Sequence, residues 1–68
     1  MEEITIRDEF IKLGQAMKLA GLVSEGVEAK VHINNGEVLV NGEVCTMRGK
    51  KLYRDDVFEF GGRKIKIS

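Results

Sequence analysis

The first third of the chain carries a strand-like pattern and then a helical one. Ile4 and Ile6 alternate with polar residues, which predicts a short strand. From residue 10 onward the apolar positions recur at intervals of three and four, so that a helix would carry them on one face. They are Phe10, Leu13, Met17 and Ala20. Gly21 follows and is suited to end the helix, because glycine readily takes the left-handed conformation found after a helix.

The start of this helix can be placed at two positions. Thr5 and Asp8 have the spacing of a capping box, which would start the helix early. Gly14 weakens a helix interior and instead favours a start near Lys12, because it would then fall in the first turn. The sequence is compatible with both.

A second helix is predicted over residues 25–34. Ser24 precedes it, and serine favours the N-cap position because its hydroxyl accepts a hydrogen bond from a backbone N–H group. Gly36 is expected to end this helix in the left-handed conformation.

The second half of the chain has the period-two alternation of strands. Valines alternate on both sides of Asn41-Gly42, the strongest two-residue hairpin signal. A second hairpin is predicted from residues 57–60 and 63–67, which are joined by two glycines. The order of strand, two helices and further strands predicts an α+β fold, with the two short helices packed on a mainly antiparallel sheet.

Length and composition indicate one small domain, residues 1–68. A chain of this size buries only about 60% of its unfolded surface, so the core is small. Its single cysteine excludes an internal disulfide and suits a reducing cytosol. No apolar run approaches the roughly 18 residues of a membrane span, and the acidic start is unlike a secretory signal. We therefore expect a cytoplasmic monomer that does not bind membranes.

Positive charge is concentrated in residues 47–54, although the whole chain has 11 Lys and Arg against 11 Asp and Glu. The cations of this run are Arg48, Lys50, Lys51 and Arg54. A solvated loop is the ordinary explanation of such a run. However, Gly49 indicates a tight turn that would hold the charges in place. Tyr53 offers a ring that would either stack on a base or cover the core. The density of charge and the turn make nucleic-acid binding an explanation equal to the solvated loop.

The residue types needed for catalysis or metal binding are scarce. One histidine, His32, and one cysteine, Cys45, do not supply a structural zinc site. A nucleophile pair would also need a third group and a cavity. The segment around Gly61 and Gly62 fits a hairpin turn better than a phosphate-binding loop. We expect no catalytic residues, no metal and no cofactor.

The chain resembles the alpha-L RNA-binding domain named after ribosomal protein S4. The resemblance lies in two short helices, a valine-rich hairpin, a basic turn and an acidic segment that follows the turn. The matching positions are Lys12-Leu13, Met17, Gly21, Ser24, Gly36-Glu37-Val38-Leu39-Val40-Asn41-Gly42 and Asp55-Asp56-Val57. They cover residues 10–60, and the full length resembles the stand-alone bacterial subgroup. The resemblance implies that the partner is structured RNA, either ribosomal or transfer RNA. It also implies a role in ribosome assembly or translation, where ribosomal proteins would be further partners.

The resemblance also implies which residues face the RNA. Carried over one position at a time, they are Lys12, Gln15, Lys30, Asn41, Arg48, Lys50 and Lys51, and the local basic run adds Tyr53 and Arg54. Four positions depart from the family pattern. Gly14 stands in place of an acid, Glu25 in place of an arginine, His32 or its neighbour in place of an aliphatic residue, and Asp55 in place of a glycine. Because Glu25 would repel phosphate, we expect the contact to rely on the basic turn.

Two hypotheses follow. In the first, distant lysines and arginines converge on one side of the folded chain and bind RNA phosphates. In the second, the protein is a small interaction adaptor that uses its charged faces or the edges at residues 4–7 and 63–67 to pair with another chain.

Overall fold

The computed structural model describes residues 1–68 and confirms the α+β class. The elements are β1 (Glu2–Ile4), β2 (Ile11–Lys12), α1 (Leu13–Leu19), α2 (Gly26–Asn34), β3 (Leu39–Val40), β4 (Glu43–Val44), β5 (Lys51–Leu52), β6 (Val57–Phe60) and β7 (Arg63–Ile67). Neither helix has the length and apolar character needed to cross a membrane.

Five of the strands form one mixed sheet in the order β1-β7-β6-β3-β4. All its pairs are antiparallel except β1 with β7, which is parallel. Because β7 is paired with β1 on one side and with β6 on the other, the open edge predicted at residues 63–67 is wrong. The first strand ends at Ile4, earlier than the alternation through Ile6 predicted. Arg63 on β7 donates two hydrogen bonds to the Glu2 carboxylate on β1, and the first of these, from Nε, is 2.8 Å long. This hydrogen bond lowers the pKa of Glu2.

The core lies between the two helices and one face of the sheet. Its fully buried large side chains are Leu13, Met17, Ile33, Val38, Leu52, Phe58, Ile65 and Ile67. The helical stripe predicted from residue 10 is confirmed at Leu13 and Met17. Phe10, in contrast, precedes the helix and is not among the residues packed against the core. The pattern alone did not show that the chain is extended at residues 11 and 12.

The structure settles where the two helices begin and end. The late start of α1 is confirmed, since Lys12 is its extended N-cap residue, and the capping box at Thr5 is wrong. Ser24 is also not a cap: the N-cap residue of α2 is Glu25, whose side chain makes no capping hydrogen bond. Gly21 and Gly36 both have φ of +74° just beyond the helices, as predicted.

The first hairpin has the predicted turn. Asn41 and Gly42 have φ values of +50° and +87°, the left-handed pair that a tight hairpin with the right strand twist requires. The Asn41 side chain also accepts a hydrogen bond from the Val57 N–H at 2.9 Å and donates one to Asp56 at 3.1 Å. The turn is therefore tied to the start of β6.

Candidate nucleic-acid interface

A groove of about 330 Å³ opens between α1, the start of α2 and the loop before β5. Three cationic side chains line it, those of Lys12, Lys18 and Arg48, together with the amide of Gln15. The other lining residues are Gly14, Gly26 and Gly49. This surface, called the basic groove below, contains no hydrophobic and no acidic residue. Its chemistry suits an anionic ligand.

Backbone hydrogen bonds hold residues 45–50, the loop between β4 and β5 that is called the basic loop below, against the start of α1. The N–H of Leu13 donates to the carbonyl of Lys50 at 2.8 Å, and the N–H of Gly14 donates to that of Arg48 at 3.1 Å. The first N–H groups of a helix have no acceptor within the helix, so the loop satisfies two of them. Two segments more than 30 residues apart in sequence are therefore joined where their charges accumulate.

Gly14 leaves the space that the Arg48 side chain occupies. A Cβ atom at position 14 would lie 2.7 Å from Cγ of Arg48, closer than such atoms approach one another, and 3.3 Å from Cδ, which is a tight contact. The methylene groups of Arg48 consequently lie directly on the backbone of α1. This contact explains why a glycine is found in the first turn of a short helix, where it otherwise weakens the helix.

Like charges face each other at the edge of the groove. Lys12 on β2 and Lys51 on β5 are direct partners across the two-stranded antiparallel sheet. Like charges in that relation destabilise a sheet. The Nζ of Lys51 lies 4.7 Å from the centre of the Phe10 ring, which offsets part of this cost. No carboxylate pairs with either lysine.

The ion pairs of the chain lie away from the groove. They are Glu2 with Arg63, Asp55 with Lys66 and, when the imidazole is protonated, His32 with Glu37. The positive charge of Lys12, Lys18 and Arg48 is therefore not neutralised by the protein itself.

The start of α2 adds hydrogen-bond donors to the groove. Gly26 lines it, and the first backbone bond of the helix runs from Ala29 to Glu25, so the three N–H groups before Ala29 lack a protein acceptor. A helix N-terminus carries partial positive charge and favours anions. The exposed carboxylate of Glu25 lies next to it and opposes that effect.

The structure brings some of the predicted site residues together. Lys12, Gln15 and Arg48 line the basic groove, and Lys51 lies across from Lys12. Lys30 does not line the groove. It is exposed and lies one helical turn beyond Gly26 on α2, and helical side chains lean toward the N-terminus, which is the end of α2 that lines the groove.

Other predicted residues lie elsewhere or are engaged in the fold. Lys50 lines a neighbouring cleft together with Asn41, whose side chain is hydrogen-bonded as described. The guanidinium of Arg54 donates to the carbonyl of Ile6 at 2.9 Å. Tyr53 is 44% exposed, and its ring centre is 5.9 Å from that of Phe10. Asn41 and Arg54 thus have structural contacts that the sequence did not reveal.

Lys18 is the groove residue that the sequence predictions missed. It lies three residues after Gln15 and therefore on the same side of α1. Its position away from the apolar stripe was visible in the sequence, but which exposed side of the helix meets the basic loop was not.

Comparison with known proteins relates this chain to a family, to a curated protein and to a solved structure. The family model described as S4 domain matches residues 4–68. The chain is 48% identical over 59 residues to "Probable ribosome maturation protein RlbA" of Bacillus subtilis (strain 168), covering 87% of this chain and 83% of that protein. It is also similar to the solution structure of YbcJ from E. coli, which is described as revealing an alpha-L motif involved in RNA binding. That match has a TM-score of 0.75 and 26% identity and covers 98% of this chain and 86% of the other.

Proposed function

Because the chain belongs to the S4 domain family, we propose that it is a non-catalytic module that binds the phosphate backbone of structured RNA through the basic groove. The observation that carries this proposal is the convergence of Lys12, Lys18 and Arg48 on a groove without acids. The RNA-binding motif of the similar YbcJ structure supports the same assignment.

Binding would draw most of its free energy from phosphates. Each cation that neutralises a phosphate releases condensed counterions, so affinity falls as the salt concentration rises. Lys12, Lys18 and Arg48 would contact phosphates inside the groove, with Lys30 and Lys51 at its borders. Since the deep groove of A-form RNA hides base edges, a duplex would be recognised by its shape and backbone.

Ribosomal RNA is the partner that best fits this proposal, with a role in ribosome assembly in the cytoplasm. The support is the 48% identity to a protein named for ribosome maturation. The charge of the groove favours any polyanionic nucleic-acid backbone. The ribosomal assignment therefore rests on the similarity to the ribosome maturation protein. Crosslinking in cells, followed by sequencing of the bound RNA, identifies the RNA directly, and enrichment of messenger RNA alone would contradict the ribosomal assignment.

The proposal is tested by neutralising groove cations one at a time. Lys12→Gln and Arg48→Gln are compared with Lys64→Gln, a matched control at an exposed lysine of β7 that has no ion pair. Affinity for a blunt-ended RNA hairpin is measured by fluorescence anisotropy across a salt series.

If about five cations engage the duplex, log K should fall with log salt with a slope of about −4 to −5. Each groove substitution should make that slope shallower by about 1 and weaken binding, whereas Lys64→Gln should change neither. Equal effects at Lys12 and Lys64, or binding without salt dependence, would contradict the proposal.

An open sheet edge favours the adaptor as a second candidate. β4 is an outermost strand, and Val44 on it and Met47 after it are 59% and 65% exposed. An edge with exposed apolar side chains is a template for another strand. Charge substitution at Val44 that abolishes co-purification of a protein partner, but leaves RNA affinity unchanged, would support this candidate.

A further inference from the structure

Two of the four aromatic side chains lie outside the core. Phe58 is fully buried and Phe60 packs against the core, but Phe10 and Tyr53 do neither. Instead they contact each other, with ring centres 5.9 Å apart and planes tilted by 55°. Tyr53 is 44% exposed and Phe10 is only partly buried, so the pair leaves aromatic surface open to a ligand beside the basic groove.

Phe10 forms a wall of a second groove, called the side groove below. Its volume is about 430 Å³, and Phe10, Ile11 and Leu19 supply apolar surface to it. Leu19 is 57% exposed, so its side chain is accessible to a ligand in this groove. Asp8 and Arg7 also line the side groove, so its lining has no net positive charge, in contrast to that of the basic groove.

The side groove and the basic groove share one residue, Gln15. Helical geometry explains this position. Lys18 is three residues and Leu19 four residues beyond Gln15, so Gln15 lies between them on the exposed surface of α1. Lys18 faces the basic groove and Leu19 the side groove. A ligand that has an anionic part joined to a flat apolar part would therefore span both across Gln15.

We propose that the side groove binds one unpaired nucleobase of the RNA whose phosphates lie in the basic groove. This inference rests on the proposed function and adds a preference for bulges or junctions over uninterrupted duplex. An extruded base has a flat apolar face to set against Phe10, Ile11 or Leu19. The Gln15 amide offers a donor and an acceptor to its edge, and Asp8 offers an acceptor to an amino group. Tyr53 supports the ring of Phe10 from outside the groove.

The test isolates the base from the backbone. The probes are an RNA hairpin with a single-nucleotide bulge, the same hairpin with an abasic sugar at the bulge, and the blunt hairpin without a bulge. Each is titrated with the wild-type chain, with Phe10→Ala and with Leu19→Ala. Val27→Ala is the matched control, since Val27 is an aliphatic residue of α2 that is 68% exposed and lines neither groove. Circular dichroism verifies that each variant is folded.

The wild-type chain should bind the bulged RNA at least about fivefold more tightly than its abasic counterpart. Phe10→Ala should reduce this ratio to about one, and it should weaken binding of the blunt hairpin less than binding of the bulged RNA, because the blunt hairpin loses only the support that the ring gives to Lys51. Leu19→Ala, at a position that is more than half exposed, should reduce the ratio in the same direction, and Val27→Ala should not.

Equal affinity of the wild-type chain for bulged and abasic RNA would overturn the inference. A loss of affinity in Phe10→Ala that is the same for all three probes would also overturn it. Either result leaves the basic groove in place as long as Lys12→Gln still weakens binding to the blunt hairpin. If the proposed function itself is wrong, the result is different, because none of the three RNA probes would then bind in a salt-dependent manner.

Discussion

Replacing Gly14 by alanine should separate stability from RNA binding. Alanine stabilises a helix relative to glycine by about 0.5–1 kcal/mol. The new Cβ would lie 2.7 Å from Cγ of Arg48, an atom near the base of that side chain, so Arg48 must leave its rotamer. Such a displacement costs about 0.5–1.5 kcal/mol. The two effects oppose each other, and the free energy of unfolding of Gly14→Ala should lie within about 1 kcal/mol of wild type.

The affinity for RNA should fall, because the displaced guanidinium no longer lies in the basic groove. One exposed charge-assisted contact contributes about 1 kcal/mol, which corresponds to a loss of about fivefold. Urea unfolding gives the stability, and fluorescence anisotropy with a blunt RNA hairpin gives the affinity. The salt slope should also become shallower by about 1 if the contact to phosphate is lost.

A double-mutant cycle with Arg48→Ala decides whether Arg48 transmits the effect. Alanine at position 48 has no Cγ, so Gly14→Ala then meets no obstacle and should not weaken RNA binding further. If the two substitutions instead have additive effects on affinity, the methyl group at position 14 acts by some other route, and the proposed contact is refuted.

Three further substitutions have defined outcomes. Asn41→Ala removes the hydrogen bond to Val57 and places alanine at φ +50°, so it should destabilise the fold by about 2 kcal/mol in urea unfolding. If it still folds, unchanged RNA affinity would show that Asn41 acts only through the turn. Glu25→Gln should raise RNA affinity by up to about fivefold at low salt, because it removes an exposed carboxylate beside the groove. A gain in affinity that persists at high salt would contradict this electrostatic explanation. Asp55→Gly should raise the urea midpoint, because glycine adopts the φ of +79° at this position without strain. The substitution also removes an exposed ion pair with Lys66, which contributes at most about 1 kcal/mol. A lower midpoint would show that the pair outweighs the strain.

Local interactions made much of the fold predictable from the sequence. Asn41-Gly42 specifies its hairpin because few residue pairs adopt two successive left-handed conformations. Gly21 and Gly36 mark the helix ends for the same reason. Helix starts were less predictable: the amide groups at the start of α1 are satisfied by the basic loop and not by Thr5, a partner that no local pattern reveals.

The sequence by itself determined the two helices, the two hairpin turns and the concentration of cations in one segment, because each depends on residues close together in the chain. It did not reveal the short strands β2 and β5, which pair only with each other. Only the tertiary structure decided which cations share a surface. Lys18 joins the groove because the loop docks on its side of α1, whereas Arg54, within the basic run, is directed to the carbonyl of Ile6. The physical reason is that the groove depends on packing between segments far apart in sequence, and on one glycine at position 14 that lets them approach.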